Sequence, residues 1–193
     1  MNFLAHLYLS GNDPAVMVGN FIGDFVKGRH LHEQFEPGIV KGIELHRAID
    51  AFTDKHPVVK QSKTRLRATY RHFAPVIVDV FYDHFLAKDW ALYHRENLSL
   101  FARNAYATLN TFDNILPERV KQMLPYMING NWLVNYAQVE GIQRALTGMA
   151  RRSPYDSKMD ESVNDLRQHY TEFNTEFGLF FPELVKFCDD FRK

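Results

Sequence analysis

Apolar residues recur at alternating spacings of three and four along most of this chain, a pattern that predicts amphipathic helices. The clearest stripe contains Val163, Leu166, Tyr170, Phe173, Phe177, Phe180, Leu184 and Phe187. These positions share one face of a long helix, so we expect that face to pack in the core. Gly178 and Pro182 lie within the stripe, and we expect a kink or an interruption there.

Proline and glycine mark most of the predicted helix boundaries. Asp13 followed by Pro14 is typical of a helix start, and Pro37, Pro57 and Pro75 each precede a new helical pattern. Helices are predicted over residues 2–9, 13–27, 37–53, 57–72, 75–93, 99–112, 117–127 and 131–149, followed by the C-terminal stripe. Strand-type alternation is scarce. The prediction is therefore an all-α fold, a single-domain helical bundle over residues 1–193.

Composition and charge exclude several classes of function. The chain has 193 residues, with 23 Lys plus Arg and 23 Asp plus Glu, so its formal net charge is zero. This balance argues against bulk nucleic-acid binding, and no apolar run approaches the ~20 residues of a membrane helix. The single cysteine, Cys188, excludes an intrachain disulfide. A free, buried thiol and a cytoplasmic location are expected.

Histidine and aspartate recur at helical spacing in the first half of the chain. His6 and Asp24 lie in apolar segments, and His46, Asp50 and Asp54 are spaced by four residues. Residues four apart project from one helix face, where an imidazole and a carboxylate can share a metal ion. Each of these histidines and aspartates, taken alone, could also form a structural hydrogen bond, which is the commoner role of a buried histidine.

A third segment adds two carboxylates and an imidazole. Asp79 and Asp83 are four residues apart, and His84 follows Asp83 within an apolar stretch where an unpaired charge would be costly. Imidazole and carboxylate ligands without a thiolate suit Mn²⁺, Fe²⁺, Mg²⁺ or Zn²⁺, and the many carboxylates favour the harder ions. Such a site is typical of metal-assisted hydrolysis, often of a phosphoester. Cys188 in a phenylalanine-rich helix is a poor nucleophile, and no phosphate-binding glycine motif occurs.

No acidic residue lies between Asp54 and Asp79, and a basic helix face is predicted there. This basic face contains Lys60, Lys63, Arg67 and Arg71, at spacings of three, four and four. A face of one charge sign is often simply hydrated, but it also suits an acidic partner or a phosphate. Arg151 and Arg152 form a second basic spot, which predicts either phosphate binding or capping of a helix C-terminus.

Several motifs resemble the acyl carrier protein phosphodiesterase family. The resemblance begins at residues 1–7, Met-Asn-Phe-Leu-Ala-His-Leu, and continues across essentially the whole chain. The other matching segments are residues 19–26, 42–50 with Thr53 and Asp54, 79–86, 132–136 and 148–152. The family in turn resembles, distantly, the all-helical HD-type metal phosphohydrolases. The adjacent His-Asp dyad of those enzymes does not occur here, since Asp83 and His84 stand in the reverse order.

The resemblance implies hydrolysis of holo-acyl carrier protein to 4′-phosphopantetheine and the apo protein, with a divalent ion, typically Mn²⁺. Mg²⁺ or Fe²⁺ are further candidates. On this view the metal ligands are His6, Asp24, His46, Asp50, Asp83 and His84. Asp24, Asp83 and His84 are the strongest catalytic candidates, while Asp54, Asp79 and Arg47 orient ligands or balance charge. Two alternatives remain: a related nucleotide phosphohydrolase, or a non-catalytic helical module that binds an acidic protein.

Overall fold

The computed structural model describes every residue from Met1 to Lys193, and it contains helices and turns but no β-strand. The helices are α1 (Phe3–Leu9), α2 (Pro14–Ile22), α3 (Pro37–Lys55), α4 (Pro57–Tyr70), α5 (Ala74–Lys88), α6 (Leu98–Thr111), α7 (Glu118–Asn129), α8 (Trp132–Asn135), α9 (Val139–Arg152), α10 (Val163–Gln168) and α11 (Tyr170–Arg192). One cluster of 50 buried apolar residues forms the core. The predicted all-α bundle is confirmed.

Several boundaries differ from the prediction, and the helix predicted over 75–93 ends at Lys88. Helix α2 ends at Ile22 and continues only as a 3₁₀ turn, Gly23–Phe25. The segment predicted as one helix over 131–149 is divided into α8 and α9, because Gln138 adopts an extended conformation between them. Helix α11 runs through Gly178 and Pro182, so of the predicted kink or interruption there, the interruption does not occur. Pro182 has no N–H, so the carbonyl of the exposed Gly178 loses its hydrogen bond within the helix.

Helix α5 lies at the centre of the bundle. Eleven of its fifteen residues are buried, and it packs against α1, α4, α9 and α11. The C-terminal stripe packs into the core as predicted, but it is divided between α10 and α11, because His169 departs from the helical conformation. Helix α11 is also joined to α4 by a partly buried ion pair. In that pair, Arg65 donates to both carboxylate oxygens of Glu176 at 2.8 and 2.7 Å.

Helices α2 and α3 approach each other closely, and this contact positions the candidate site. A Cβ atom at Gly19 would lie 2.1 Å from the Ile39 carbonyl oxygen, and one at Gly42 would lie 2.3 Å from the Val16 carbonyl oxygen. Only glycine permits such backbone contact. Gly19 and Gly42 thus let the backbones of α2 and α3 touch.

No helix in the structure combines the length and the apolarity that a membrane crossing requires. Cys188 is fully buried on α11, as expected from its surroundings. Burial raises the pKa of its thiol to about 12. This thiol is therefore protonated at neutral pH and is not a candidate nucleophile.

Candidate metal centre

Two histidines and one aspartate meet where α1 packs beside α3. His6 Nε2 lies 3.4 Å from Asp50 Oδ1, and His46 Nε2 lies 3.2 Å from Asp50 Oδ2. The two imidazole rings are stacked, with centroids 4.0 Å apart. One ligand atom from each residue lies within 4.8 Å of the others. We call these three residues the His–His–Asp cluster.

Asp24 lies at the open edge of the cluster. It belongs to the 3₁₀ turn that follows α2, and its Oδ1 is 3.2 Å from His46 Nε2. Its side chain is 72% exposed, against 42% for Asp50 and 5% for His46. The structure therefore brings together four of the predicted ligands, and Asp24 is the one most accessible to a substrate.

Gly23 explains how the His46 ring reaches this position. A Cβ atom at Gly23 would lie 2.3 Å from His46 Cγ, so any other residue there would displace the imidazole. Gly23 therefore leaves the space in which the His46 ring packs against the backbone. The early end of α2 at Ile22 then places Asp24 just beyond that ring.

Asn20 holds both imidazoles, a role that the sequence interpretation missed. Its Oδ1 lies 2.8 Å from His6 Nδ1, and its backbone carbonyl oxygen lies 2.8 Å from His46 Nδ1. Its Nδ2 donates to the His6 carbonyl and to Ser10 Oγ, which assigns Oδ1 as the acceptor for His6. Both Nδ1 atoms therefore carry hydrogen, and in the neutral rings both Nε2 lone pairs face Asp50. Asn20 is completely buried within an apolar helix, where an amide is expected only if it is hydrogen-bonded.

The charge state of the cluster follows from burial and from these contacts. Burial alone would lower the pKa of His46, but its hydrogen bonds to Asp24 and Asp50 outweigh burial and raise that pKa to about 9. For His6, burial dominates and lowers the pKa. Burial would raise the pKa of Asp50, but the hydrogen bond from His46 and the positive charge of the Met1 α-amino group hold it well below its usual range. In the metal-free protein at neutral pH, His46 therefore carries a proton that Nε2 must release before it can bind a metal ion.

The arrangement of donors fits a divalent cation. His6 Nε2 faces the Met1 carbonyl oxygen at 3.1 Å as well as Asp50, so a neutral ring directs its lone pair toward two oxygen atoms. A lone pair and two oxygen atoms repel one another at such distances. A bound cation would accept the lone pair and the carboxylate together, and so remove this repulsion. Imidazole nitrogen with carboxylate oxygen suits Mn²⁺, Fe²⁺ or Zn²⁺, and each Nδ1–H bond is of the kind that orients metal-binding histidines.

Asp83 lies away from the cluster, although it was predicted as a ligand and a catalytic group. It is fully buried and accepts the backbone N–H groups of Asn2, Leu4 and Ala5 at 3.3, 2.7 and 3.3 Å. These are unpaired donors at the start of α1, so Asp83 caps that helix. Burial raises the pKa of Asp83 to about 7. The three hydrogen bonds stabilise the charged carboxylate and therefore oppose this rise. Its visible role is to hold α1, and hence His6, in place.

His84 also points away from the cluster. Its Nδ1 lies 2.8 Å from the Tyr136 carbonyl oxygen, so Nδ1 donates, and its Nε2 accepts from the Tyr170 hydroxyl at 2.8 Å. Burial lowers the pKa of this imidazole, which is thus neutral at pH 7. Both ring nitrogens are already used, and neither contacts the other candidate ligands.

The three residues predicted to orient ligands occupy different places around the cluster. Asp79 Oδ1 lies 3.0 Å from the α-amino nitrogen of Met1, which is itself 3.8 Å from Asp50 Oδ1. Asp54 accepts from Lys63 at 2.6 Å. Arg47 donates to the carbonyl oxygen of Gly28 at 3.1 Å, and it thereby fixes the segment that follows Asp24.

The predicted basic face is only partly free. Lys60, Arg67 and Arg71 are exposed and form no ion pair, whereas Lys63 is half-buried and bound to Asp54. Arg71 lies beyond the end of α4 with a φ of 49°, so it leaves the line of the others. Because Asp54 follows Asp50 by one turn of α3, the bond of Lys63 joins this face to the turn of α3 beyond the cluster.

The two arginines of the second basic spot also differ in their surroundings. Arg151 and Arg152 both form the last turn of α9 and are exposed. Only Arg152 lines a cavity, which is bounded by α7, α8 and α9. Phe3 lines both this cavity and the hollow at His6, Asp24 and His46.

Comparison with known proteins agrees with the motifs. The chain matches the model of the acyl carrier protein phosphodiesterase family over residues 1–184. It is 35% identical over 187 residues to the acyl carrier protein phosphodiesterase of Photorhabdus laumondii, covering 96% of this chain and 94% of that protein. It is 35% identical over 191 residues to that of Yersinia enterocolitica, covering 98% of each. It is 36% identical over 186 residues to that of Escherichia coli O157:H7, covering 96% of each.

No solved structure matches the chain, so the distant likeness to HD-type phosphohydrolases stays a prediction. The family match extends over nearly the whole chain and includes every residue of the His–His–Asp cluster. The relatives are covered almost end to end at more than a third identity. This chain belongs to the acyl carrier protein phosphodiesterase family.

Proposed function

We propose that this protein is a metal-dependent phosphodiesterase that hydrolyses holo-acyl carrier protein. The phosphodiester between the carrier serine and the prosthetic arm is cleaved, which releases 4′-phosphopantetheine and leaves apo-acyl carrier protein. Membership of the family supports the reaction. The observation that carries the proposal is the His–His–Asp cluster, with Asp24 exposed at its edge.

His6 Nε2, His46 Nε2 and Asp50 are the groups that would hold the ion, and Asp24 is close enough to join them. We propose Mn²⁺, with Mg²⁺ or Fe²⁺ as alternatives. When bound, such an ion polarises a phosphoryl oxygen and lowers the pKa of a nearby water.

The chain's own residues then have distinct parts. Asp24 has a pKa lowered by its hydrogen bond with His46, so it is an ionised, exposed carboxylate that can accept a proton from water. Asn20 fixes both imidazoles, and Arg47 fixes the segment after Asp24. We assign Asp83 and His84 to structural support of α1 and α5, because their polar atoms are used in hydrogen bonds away from the cluster.

The partner is proposed to dock on the basic face. Acyl carrier proteins are small and acidic, and the exposed Lys60 and Arg67 on α4 provide positive charge. Such a substrate would place the reaction in the cytoplasm.

A substrate comparison tests this proposal. Purified protein is incubated with Mn²⁺ and either holo-acyl carrier protein or a panel of nucleotides, before and after EDTA treatment. We expect release of 4′-phosphopantetheine that EDTA abolishes and Mn²⁺ restores. Preferential hydrolysis of nucleotides would instead support the related phosphohydrolase. Absence of both turnover and Mn²⁺ affinity would support a non-catalytic module.

A further inference from the structure

A cavity of about 390 Å³ lies between α7, α8 and α9, within the size range of small-molecule sites. It adjoins a more open cavity of about 670 Å³, and the two share Phe25, Met123, Trp132 and Arg152. Tyr126, whose side chain is 73% exposed, lines the open part. Phe25 and Trp132 are half-buried beside it, and a contiguous aromatic surface of this kind is typical of a binding site.

The cavity lies beside the candidate metal centre. Phe3 lines it and also lines the hollow formed by His6, Asp24 and His46. Phe25 lines both cavities and directly follows Asp24 in sequence. The cavity is therefore within reach of a chain attached to a phosphate at the cluster.

The charged residues around the two cavities have one sign. Arg119, Arg144 and Arg152 line them, and no aspartate or glutamate does. All three arginines are exposed and form no ion pair. The field in the cavities therefore favours an anionic ligand over a neutral or cationic one.

Two residues of the apolar lining carry side-chain hydrogen-bonding atoms that the structure does not fully use. Asn135 donates through Nδ2 to the Gly130 carbonyl at 2.7 Å, which leaves its Oδ1 free to accept. The Tyr136 hydroxyl accepts from Asn2 Nδ2 at 3.3 Å, and its own proton is not used in that bond. Tyr136 is only 2% exposed, so this proton is a buried donor.

We propose that this cavity binds the 4′-phosphopantetheine arm, with its phosphate toward the cluster and its amide-containing chain along Phe3, Phe25 and Trp132. The proposal rests on the function proposed above. The two amides and the methylene groups of the arm match the two polar groups and the apolar wall, and the arginines favour a molecule that is anionic as a whole. The site would bind the arm itself, independently of the carrier protein.

Gly148 provides the sharpest test. It lies within α9 and lines the cavity, and a Cβ atom there would meet only the Arg152 guanidinium, at 3.3 Å or more. Gly148→Leu therefore fills the cavity with a side chain that the helix accommodates. Gly178→Leu is the matched control, because Gly178 also lies within a helix, α11, and a Cβ atom there would have no neighbouring atom within 4 Å.

Binding of 4′-phosphopantetheine is measured by isothermal titration calorimetry in the presence of Mn²⁺. We expect Gly148→Leu to weaken binding about tenfold or more, since the added carbons occupy ligand volume. Gly178→Leu should bind as the unaltered protein does. Arg152→Ala should also weaken binding, and because its side chain is exposed and unpaired it decides the question if Gly148→Leu does not fold.

The proposal is overturned if the unaltered protein does not bind the arm, or if Gly148→Leu and Arg152→Ala bind it with unchanged affinity. Turnover of holo-acyl carrier protein with no dependence on Gly148 or Arg152 would retain the proposed function and remove this subsite. Binding that depends on both residues, without turnover, would retain the subsite and remove the proposed function.

Discussion

The side-chain oxygen of Asn20 accepts the Nδ1 hydrogen of His6 at 2.8 Å, within a helix whose other inward residues are apolar. The same residue holds His46 through its backbone carbonyl, so one buried position sets the tautomer of both imidazoles. Their Nε2 atoms are thereby directed to Asp50. The cluster depends as much on Asn20 as on its own three side chains.

Asn20→Leu should weaken Mn²⁺ binding by about 10- to 100-fold, because His6 loses the bond that orients it. Thr53→Val is a matched control: it removes a buried hydroxyl that bonds only the Ile49 carbonyl. Calorimetric titration with Mn²⁺ measures both variants, with circular dichroism to confirm folding. Equal affinity in the two variants would show that Asn20 does not position the histidines.

The variant Asp83→Asn distinguishes between two roles of Asp83, that of a helix cap and that of a metal ligand. The amide has one acceptor oxygen where the carboxylate has two, so we expect a loss of about 1–3 kcal/mol in the free energy of unfolding. The Mn²⁺ affinity of the folded variant should stay unchanged. Asp89→Asn, just beyond the C-terminal end of α5, should change stability by less than about 0.5 kcal/mol. Loss of Mn²⁺ affinity in Asp83→Asn without loss of stability would restore Asp83 to the ligand set.

The raised pKa of His46 predicts the direction of a pH effect in metal-free protein. The folded state binds the His46 proton more tightly than the unfolded state does, with a pKa of about 9 against an ordinary value of 6.5. This contribution to stability is fully present below about pH 6.5 and is lost as the pH rises through about 9. Urea unfolding of the unaltered protein and of His46→Gln, both in EDTA, should differ more at about pH 6 than at about pH 9.5. We expect the difference in the free energy of unfolding between the two proteins to be roughly 1–3 kcal/mol larger at the lower pH than at the higher pH. A difference that does not vary with pH would contradict the ion pairs of His46 with Asp24 and Asp50.

Charge reversal tests the docking face. Lys60→Glu with Arg67→Glu should raise the KM for holo-acyl carrier protein at low salt and weaken its salt dependence, because both side chains are exposed and unpaired. Arg103→Glu, an equivalent reversal on α6, should leave KM unchanged. An equal KM for the two charge-reversed proteins would indicate that the face on α4 is merely hydrated.

Helical spacing predicted the parts of the fold and of the site that depend on one helix. His46 and Asp50 share a face of α3 because they are four residues apart, and this pair is in the cluster. Spacing does not say which neighbour a face meets. Asp83 and His84 were therefore grouped with the cluster, although Asp83 meets the start of α1 and His84 meets Tyr136 and Tyr170. Asn20 was missed because a single amide in an apolar helix gives no pattern, and only the packing of α1 and α3 around it shows its role.

The most direct test of the account is the intact mass of holo-acyl carrier protein after incubation with this protein and Mn²⁺. The unaltered protein should reduce that mass by the mass of the 4′-phosphopantetheine group. Asp50→Asn, which keeps the shape of the side chain but removes its charge beside His6 and His46, should leave the mass unchanged. An unchanged carrier mass with the unaltered protein, or an equal loss with Asp50→Asn, would contradict the claim that the His–His–Asp cluster cleaves this phosphodiester.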